Sequence, residues 1–190
     1  ERKYAWHNYD DATMEKVYAL SDTYRQFLDN GKTERECVVQ AVEFAEVKGY
    51  VNLKDIIKSN TPIKAGDKLY YTHMDKSIAL FNIGTDDIEL GMNILGAHID
   101  SPRIDVKQNP QYEDSNLVFW DTHYYGGIKK YHWVVMPLAI HGVVVKTDGT
   151  RININIGDNE NDPVFCITDL LPHLGQEQMQ KNAAKVIEGE

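Results

Sequence analysis

The sequence predicts an α/β fold followed by a separate β-rich unit. Three observations predict it. Apolar residues recur at helical spacing over about the first 50 residues. After Pro62 the apolar period changes to two. From Ile104 onward, short apolar strands and turn signals follow one another with almost no helical pattern. The 190 residues suffice for one good-sized domain or two small ones. We place the division at 1–103 and 104–190.

Asp10-Asp11 open the first helical pattern, whose apolar stripe is Val17, Leu20, Tyr24, Phe27 and Leu28. Asn30-Gly31 should end it, with the glycine in the left-handed conformation. Thr33-x-x-Glu36 is a capping-box signature for a second helix. The expected buried face of that helix is Cys37, Ala41, Phe44 and Ala45, and Gly49 should stop it. A short helix or turn follows around Val51 to Ile57. Lys68 to Thr72 and Ser77 to Gly84 read as a hairpin. Gly91 to Asp100 reads as a buried apolar strand, which suggests a layered α/β domain.

In the second part, Ile104 to Val106, Leu117 to Trp120, Trp133 to Met136 and Leu138 to Val145 are expected strands. Asp148-Gly149 is the strongest hairpin signal. It is flanked by Val143-Val144-Val145 and by the alternating run Arg151-Ile152-Asn153-Ile154-Asn155-Ile156. Val164 to Ile167 is a further apolar strand, Gly157 to Asp162 a polar loop, and Gln176 onward returns to helix-forming residues.

Net charge is −9 and the isoelectric point is near 5.2. Phosphate contacts need clustered lysine and arginine, so neither a nucleic acid nor an anionic membrane is the expected partner. Lys129-Lys130 is too small a cluster to change that. No apolar run approaches the ~18 residues of a membrane span. The start, Glu1-Arg2-Lys3-Tyr4, has no signal-peptide hydrophobic region. Cys37 and Cys166 lie in apolar surroundings outside any zinc-ribbon pattern, and are expected to be buried, reduced thiols. These features together predict a cytoplasmic protein.

The chemistry centres on His98-Ile99-Asp100, which is followed by Ser101-Pro102. An extended backbone sends alternate side chains to one side, so His98 and Asp100 should share a face. Pro102 cannot donate to a central ladder and should end the strand. An imidazole can bind zinc, and a neighbouring carboxylate can orient it. His73-Met74-Asp75 has the same spacing, but it sits in what reads as a partly solvated hairpin. His141, in an apolar strand, reads as a packed, hydrogen-bonded residue. His123 and His132 flank the Tyr124-Tyr125-Gly126-Gly127 turn and suit structural or interface roles.

The run Gly96-Ala97-His98-Ile99-Asp100-Ser101-Pro102-Arg103 resembles the zinc-site motif of the aspartyl aminopeptidase/aminopeptidase I family of metallopeptidases. Thr122-His123-Tyr124-Tyr125-Gly126-Gly127, Trp133, Leu138 to Val143, Leu171-Pro172-His173-Leu174 and the Lys76 to Phe81 stretch with Gly84 resemble further family segments, in order. The resemblance implies an α/β/α zinc-exopeptidase domain interrupted by a β-rich dimerisation domain. It implies a zinc-dependent aminopeptidase that releases amino-terminal residues from peptides by two-metal water activation. Zinc is the implied metal, two ions per site, and cobalt also suits such ligands. His98 would be a metal ligand and Asp100 the catalytic-site carboxylate that fixes its tautomer. His173 matches a family histidine that counts as a metal-site residue and also reaches a neighbouring subunit's active site. The implied assembly is a homo-oligomer, up to a dodecamer.

The same resemblance places a bridging Asp, a Glu pair, another carboxylate and a final His further along than this sequence runs. No Glu-Glu pair occurs here. The resemblance therefore implies the amino-terminal part of a longer enzyme. Two alternatives accompany it. One is another His-x-Asp co-catalytic zinc exopeptidase or deacylase. The other is a non-catalytic self-assembly module that docks through Phe119, Trp120, Tyr124, Tyr125 and Trp133.

Overall fold

The structure is a computed structural model and describes residues 4–187. The chain divides into two compact units, Glu1–Asp100 and Ser101–Glu190.

In the first unit, α1 spans Asp11–Asn30 and is capped by Asp10, whose carboxylate accepts the Thr13 N–H at 2.8 Å. Gly31 does not take the expected left-handed conformation, its φ being −113°. What the position needs is room: a Cβ there would lie 2.9 Å from the Phe27 carbonyl oxygen and 3.0 Å from Cys37 Sγ. Helix α2, Glu34–Val47, begins with the expected capping box, in which the Thr33 hydroxyl accepts from Glu36 N while Glu36 accepts from Thr33 N. A two-residue strand β1, Val51–Asn52, leads into α3, Leu53–Ser59. Strands β2, Lys68–His73, and β3, Ser77–Asn82, form the expected hairpin, and β1 pairs parallel to β2.

The core of this unit is small. Cys37, Val38, Ala45, Leu69 and Tyr70 are buried. Ala41 is only half-buried, and Phe44, though stacked 6.3 Å from Phe27, stays exposed. Tyr70 donates its hydroxyl hydrogen to Glu46 Oε1 at 2.8 Å, tying β2 to α2. Burial, then the neighbouring Glu36 and Glu34 charges, pushes the Cys37 thiol above its ordinary pKa.

Two expectations fail here for one reason. The α1 stripe is not a core face, since Leu20 is 71% exposed and Tyr24 and Leu28 are also exposed. Residues 91–100 form no strand, and Leu95 is fully exposed. A strand persists when a neighbour takes its backbone donors and acceptors, and a helix stripe is buried only when something covers it. Helix α1 meets α2 through the Phe27–Phe44 stack, but Leu20, Tyr24 and Leu28 stay exposed, and residues 91–100 pair with no described strand.

In the second unit, β4, Arg103–Asp114, and β5, Leu117–Tyr125, make an antiparallel hairpin with a register shift between Val106 and Gln111. Ser115 and Asn116 supply its turn with φ of 53° and 61°. Strands β6, Ile140–Val145, and β7, Arg151–Ile156, form the hairpin that Asp148-Gly149 predicted. Three expectations are corrected. Trp133 to Leu138 is not a strand: a 3-10 turn at Lys130–His132 and a φ of 53° at Val135 break it, leaving single bridges from Val134 to Ile167 and Leu138 to Phe165. Cys166 is exposed, because the alternation turns Phe165 and Ile167 inward and Cys166 outward. Gln176 onward yields only a 3-10 turn at Gln178–Gln180.

No large apolar side chain is buried among the described residues of this unit. Its apolar faces instead border an open cavity of about 680 Å³ lined by Ile104, Trp120, Trp133, Leu138 and Phe165. Gly157 closes the β7 end against Ala139. A Cβ at Gly157 would meet Ala139 Cα at 2.9 Å, and its φ is +112°. Gly157→Ala should therefore cost about 1–3 kcal/mol through clash and backbone strain. Urea unfolding that reports a lower midpoint at an unchanged slope checks this.

Candidate metal centre

His98 and Asp100 meet although their strand does not form. His98 Nδ1 lies 3.2 Å from Asp100 Oδ1 and 3.0 Å from the Asp100 carbonyl oxygen. An ionised carboxylate and a carbonyl only accept, so Nδ1 must carry the hydrogen. Nε2 then holds the lone pair. The His98 side chain is 85% exposed, so that lone pair faces open space. This is the tautomer a metal-ligating histidine needs, with its other nitrogen donated to a carboxylate or carbonyl.

The other His-x-Asp differs. Met74 and Asp75 take left-handed φ of 52° and 56° in the β2–β3 turn. The same-side rule for extended chains does not apply there.

His173 lies in the second unit, exposed, on a turn in which the Leu174 and Gly175 N–H groups both donate to the Leu171 carbonyl at 2.9 Å. Asp169 braces this turn, accepting from Gln178 Nε2 and Leu170 N at 2.8 Å each. The Gln178 hydrogen bond leads in holding the Asp169 carboxyl below its ordinary pKa. Among the described residues, no three His, Cys, Asp or Glu side chains gather as a metal-binding group.

Sequence reasoning missed Asp158 as a partner. His141, only 11% exposed at its side chain, places Nε2 3.2 Å from Asp158 Oδ2. Asn155, opposite His141 in the β6–β7 register, donates to the same oxygen at 3.0 Å. The register was readable from the Asp148-Gly149 turn, but the loop that brings Asp158 back was not.

In that loop Asp162 Oδ2 accepts from Gly157 N, Asn159 N and Asn159 Nδ2 at 3.0, 3.2 and 3.0 Å. The Gly157 N–H leads in lowering the Asp162 pKa below its ordinary 3.8. A lowered carboxylate pKa contributes stability that is present above the ordinary value and lost as pH falls below it. Asp162→Asn should thus flatten the acid side of the second unit's unfolding profile below about pH 4. An Asp162→Asn profile that still steepens like the parent's would contradict the assignment.

Comparison with known proteins decides the family. Residues 27–188 match the profile described as aminopeptidase I zinc metalloprotease (M18). The chain belongs to the M18 family. A probable M18 family aminopeptidase 1 of Clostridium acetobutylicum is 53% identical over all 190 residues, which span 41% of that protein. The crystal structure of aminopeptidase I from the same organism superposes with a TM-score of 0.84 over 100% of this chain and 41% of that one. The M18 aminopeptidase of Thermotoga maritima gives 0.86 at 43% identity, covering 97% of this chain and 39% of that one. The helices and small mixed sheets described above thus follow M18 architecture. The chain spans about two-fifths of the length of these M18 relatives.

Proposed function

We propose that this chain is part of a zinc-dependent aminopeptidase that releases amino-terminal residues from peptides by two-metal water activation. One observation carries the reading: His98 presents Nε2 to open space while Asp100 holds its Nδ1 hydrogen. The donor chemistry fits one ligand of a catalytic zinc together with its orienting carboxylate. When bound, zinc supplies Lewis acidity and a water acidic enough to attack near neutral pH.

The roles of this chain's residues follow from that fit. His98 holds its lone pair in place. Asp100 keeps the proton on Nδ1 and limits ring rotation. His173 is proposed as a further metal-site histidine, one that reaches a neighbouring subunit's active site. A catalytic zinc commonly takes three protein ligands. We assign the remaining ligands and the general base to the part of the M18 length that this chain does not span.

We further propose an α/β/α peptidase domain interrupted by a β-rich dimerisation domain, and a cytoplasmic homo-oligomer that can reach a dodecamer. Trp120, Tyr124 and Tyr125 are exposed and Trp133 is half-buried, which supports an apolar interface on the second unit. M18 membership favours this enzyme over a deacylase of another His-x-Asp class.

Elemental analysis of the full-length protein, paired with a peptide-trimming assay, tests the proposal. Bound zinc or cobalt, activity lost to a chelator and activity regained on adding metal are the expected results. Trimming that persists after complete metal removal would sink it.

A further inference from the structure

The second unit surrounds an apolar hollow with little inside it. Ile104 and Val106 of β4 pair opposite Tyr124 and Thr122 of β5, so these four side chains share one face, and Trp120 continues it opposite Gln111. That face borders the cavity of about 680 Å³, which Leu138 and Phe165 of the bridged segments also line. The Trp120 and Phe165 rings stack at 5.5 Å. The face is otherwise poorly covered: Val118 is 64% exposed and Trp120 40%.

We infer that an apolar, extended segment of the same polypeptide lies in this cavity in the full-length protein, and that it comes from the part of the M18 length that this chain does not span. The inference rests on M18 membership and not on the roles of His98 and Asp100.

Size, backbone and chain length each point to that occupant. A cavity of about 150 Å³ takes one benzene ring, so this one has room for about four apolar side chains of that size. A strand sends alternate side chains to one face, so about seven residues, roughly 20 Å of chain, would supply them. The backbone of such a strand needs a ladder. Among the described residues β4–β5 and β6–β7 are separate two-stranded sheets, so both offer outer edges to which a strand can add. A two-stranded hairpin is marginally stable by itself, and a third strand with a shared apolar face is the usual remedy. The aminopeptidase I structure that superposes on all of this chain carries more than as much chain again. Further polypeptide is thus at hand to fill the hollow.

A second copy of the unit fits less well. A two-fold contact sets one patch against the same patch of its partner. Two hollows would then face each other and neither would be filled. Tyr125, which alternates with Tyr124 and so points to the other face of β5, is left to the subunit contact proposed above.

Photochemical cross-linking in the full-length protein tests this. With Val118→p-benzoylphenylalanine, irradiation gives a product of monomer size, and peptide mapping puts its far end in an apolar segment outside the 190 residues. Val145→p-benzoylphenylalanine, on β6 and outside the cavity lining, gives no link to that segment. If the Val118 variant fails to fold, Thr122→p-benzoylphenylalanine carries the test from the same face. A dimer-sized product means that a second copy occupies the cavity. A far end within the 190 residues means that the unit closes on itself. No cross-link means that the cavity stands open to water or holds a small molecule. Each of these three results overturns the inference.

Discussion

Replacing His98 by alanine in the full-length enzyme lowers kcat/KM by more than about 100-fold, past the ~10–100-fold range of outer-shell partners. Zinc content falls with it. The reasoning is local. His98 is exposed, and its ring contacts are those with Asp100, so truncation removes little packing. A stability effect should stay within about 0.5 kcal/mol, the range for surface positions away from special features. Lost activity and lost metal with an unchanged melting temperature is therefore the signature. Full activity in His98→Ala would remove the residue from the metal site and the proposed function with it.

Asp100 should behave more mildly. His98 Nδ1 has two acceptors, the Asp100 carboxylate at 3.2 Å and its carbonyl at 3.0 Å. Asp100→Ala deletes the first and keeps the second. The loss in metal affinity should fall near the low end of the outer-shell range, about 10-fold. The gap between the two variants is informative because a purely structural role for the segment would make them alike.

The same contrast shows what could be read from sequence. Elements whose instructions are local were legible: the Thr33–Glu36 capping box, the Asp10 cap and the Asp148-Gly149 hairpin all form. Each is specified by residues within a few positions of one another. The His98–Asp100 contact belongs with them, since two side chains two apart can meet without a sheet. The elements that failed depend on partners. The apolar run Asn93 to Ala97 fits a central strand, but a run cannot supply its own neighbours, and Leu95 ends in solvent. Leu20 and Tyr24 have the right spacing for a core and no cover. Val135 breaks a strand that composition favoured, through a backbone angle that its side chain disfavours. Asp158 reaches His141 only after the chain has turned twice. Apolar pattern states what a surface wants to bury, and the span of the chain decides whether it can.

The 190-residue chain by itself should show no peptidase activity above buffer, even with zinc added. One imidazole with its orienting carboxylate falls short of the three protein ligands a catalytic zinc commonly takes. Among the described residues no three His, Cys, Asp or Glu side chains gather as a metal-binding group. Metal affinity also depends on ligands held in place beforehand, and His98 sits on an extended segment without ladder support. Calorimetric titration with zinc should give only weak binding. The assay needs a panel of amino-terminal residues, because the pocket that would choose among them is not formed by His98 and Asp100. Steady release of amino-terminal residues by this chain, abolished by His98→Ala and so not owed to a contaminant, would mean that the chain completes its own site. The assignment of the other ligands and the base to the remaining M18 length would then be wrong.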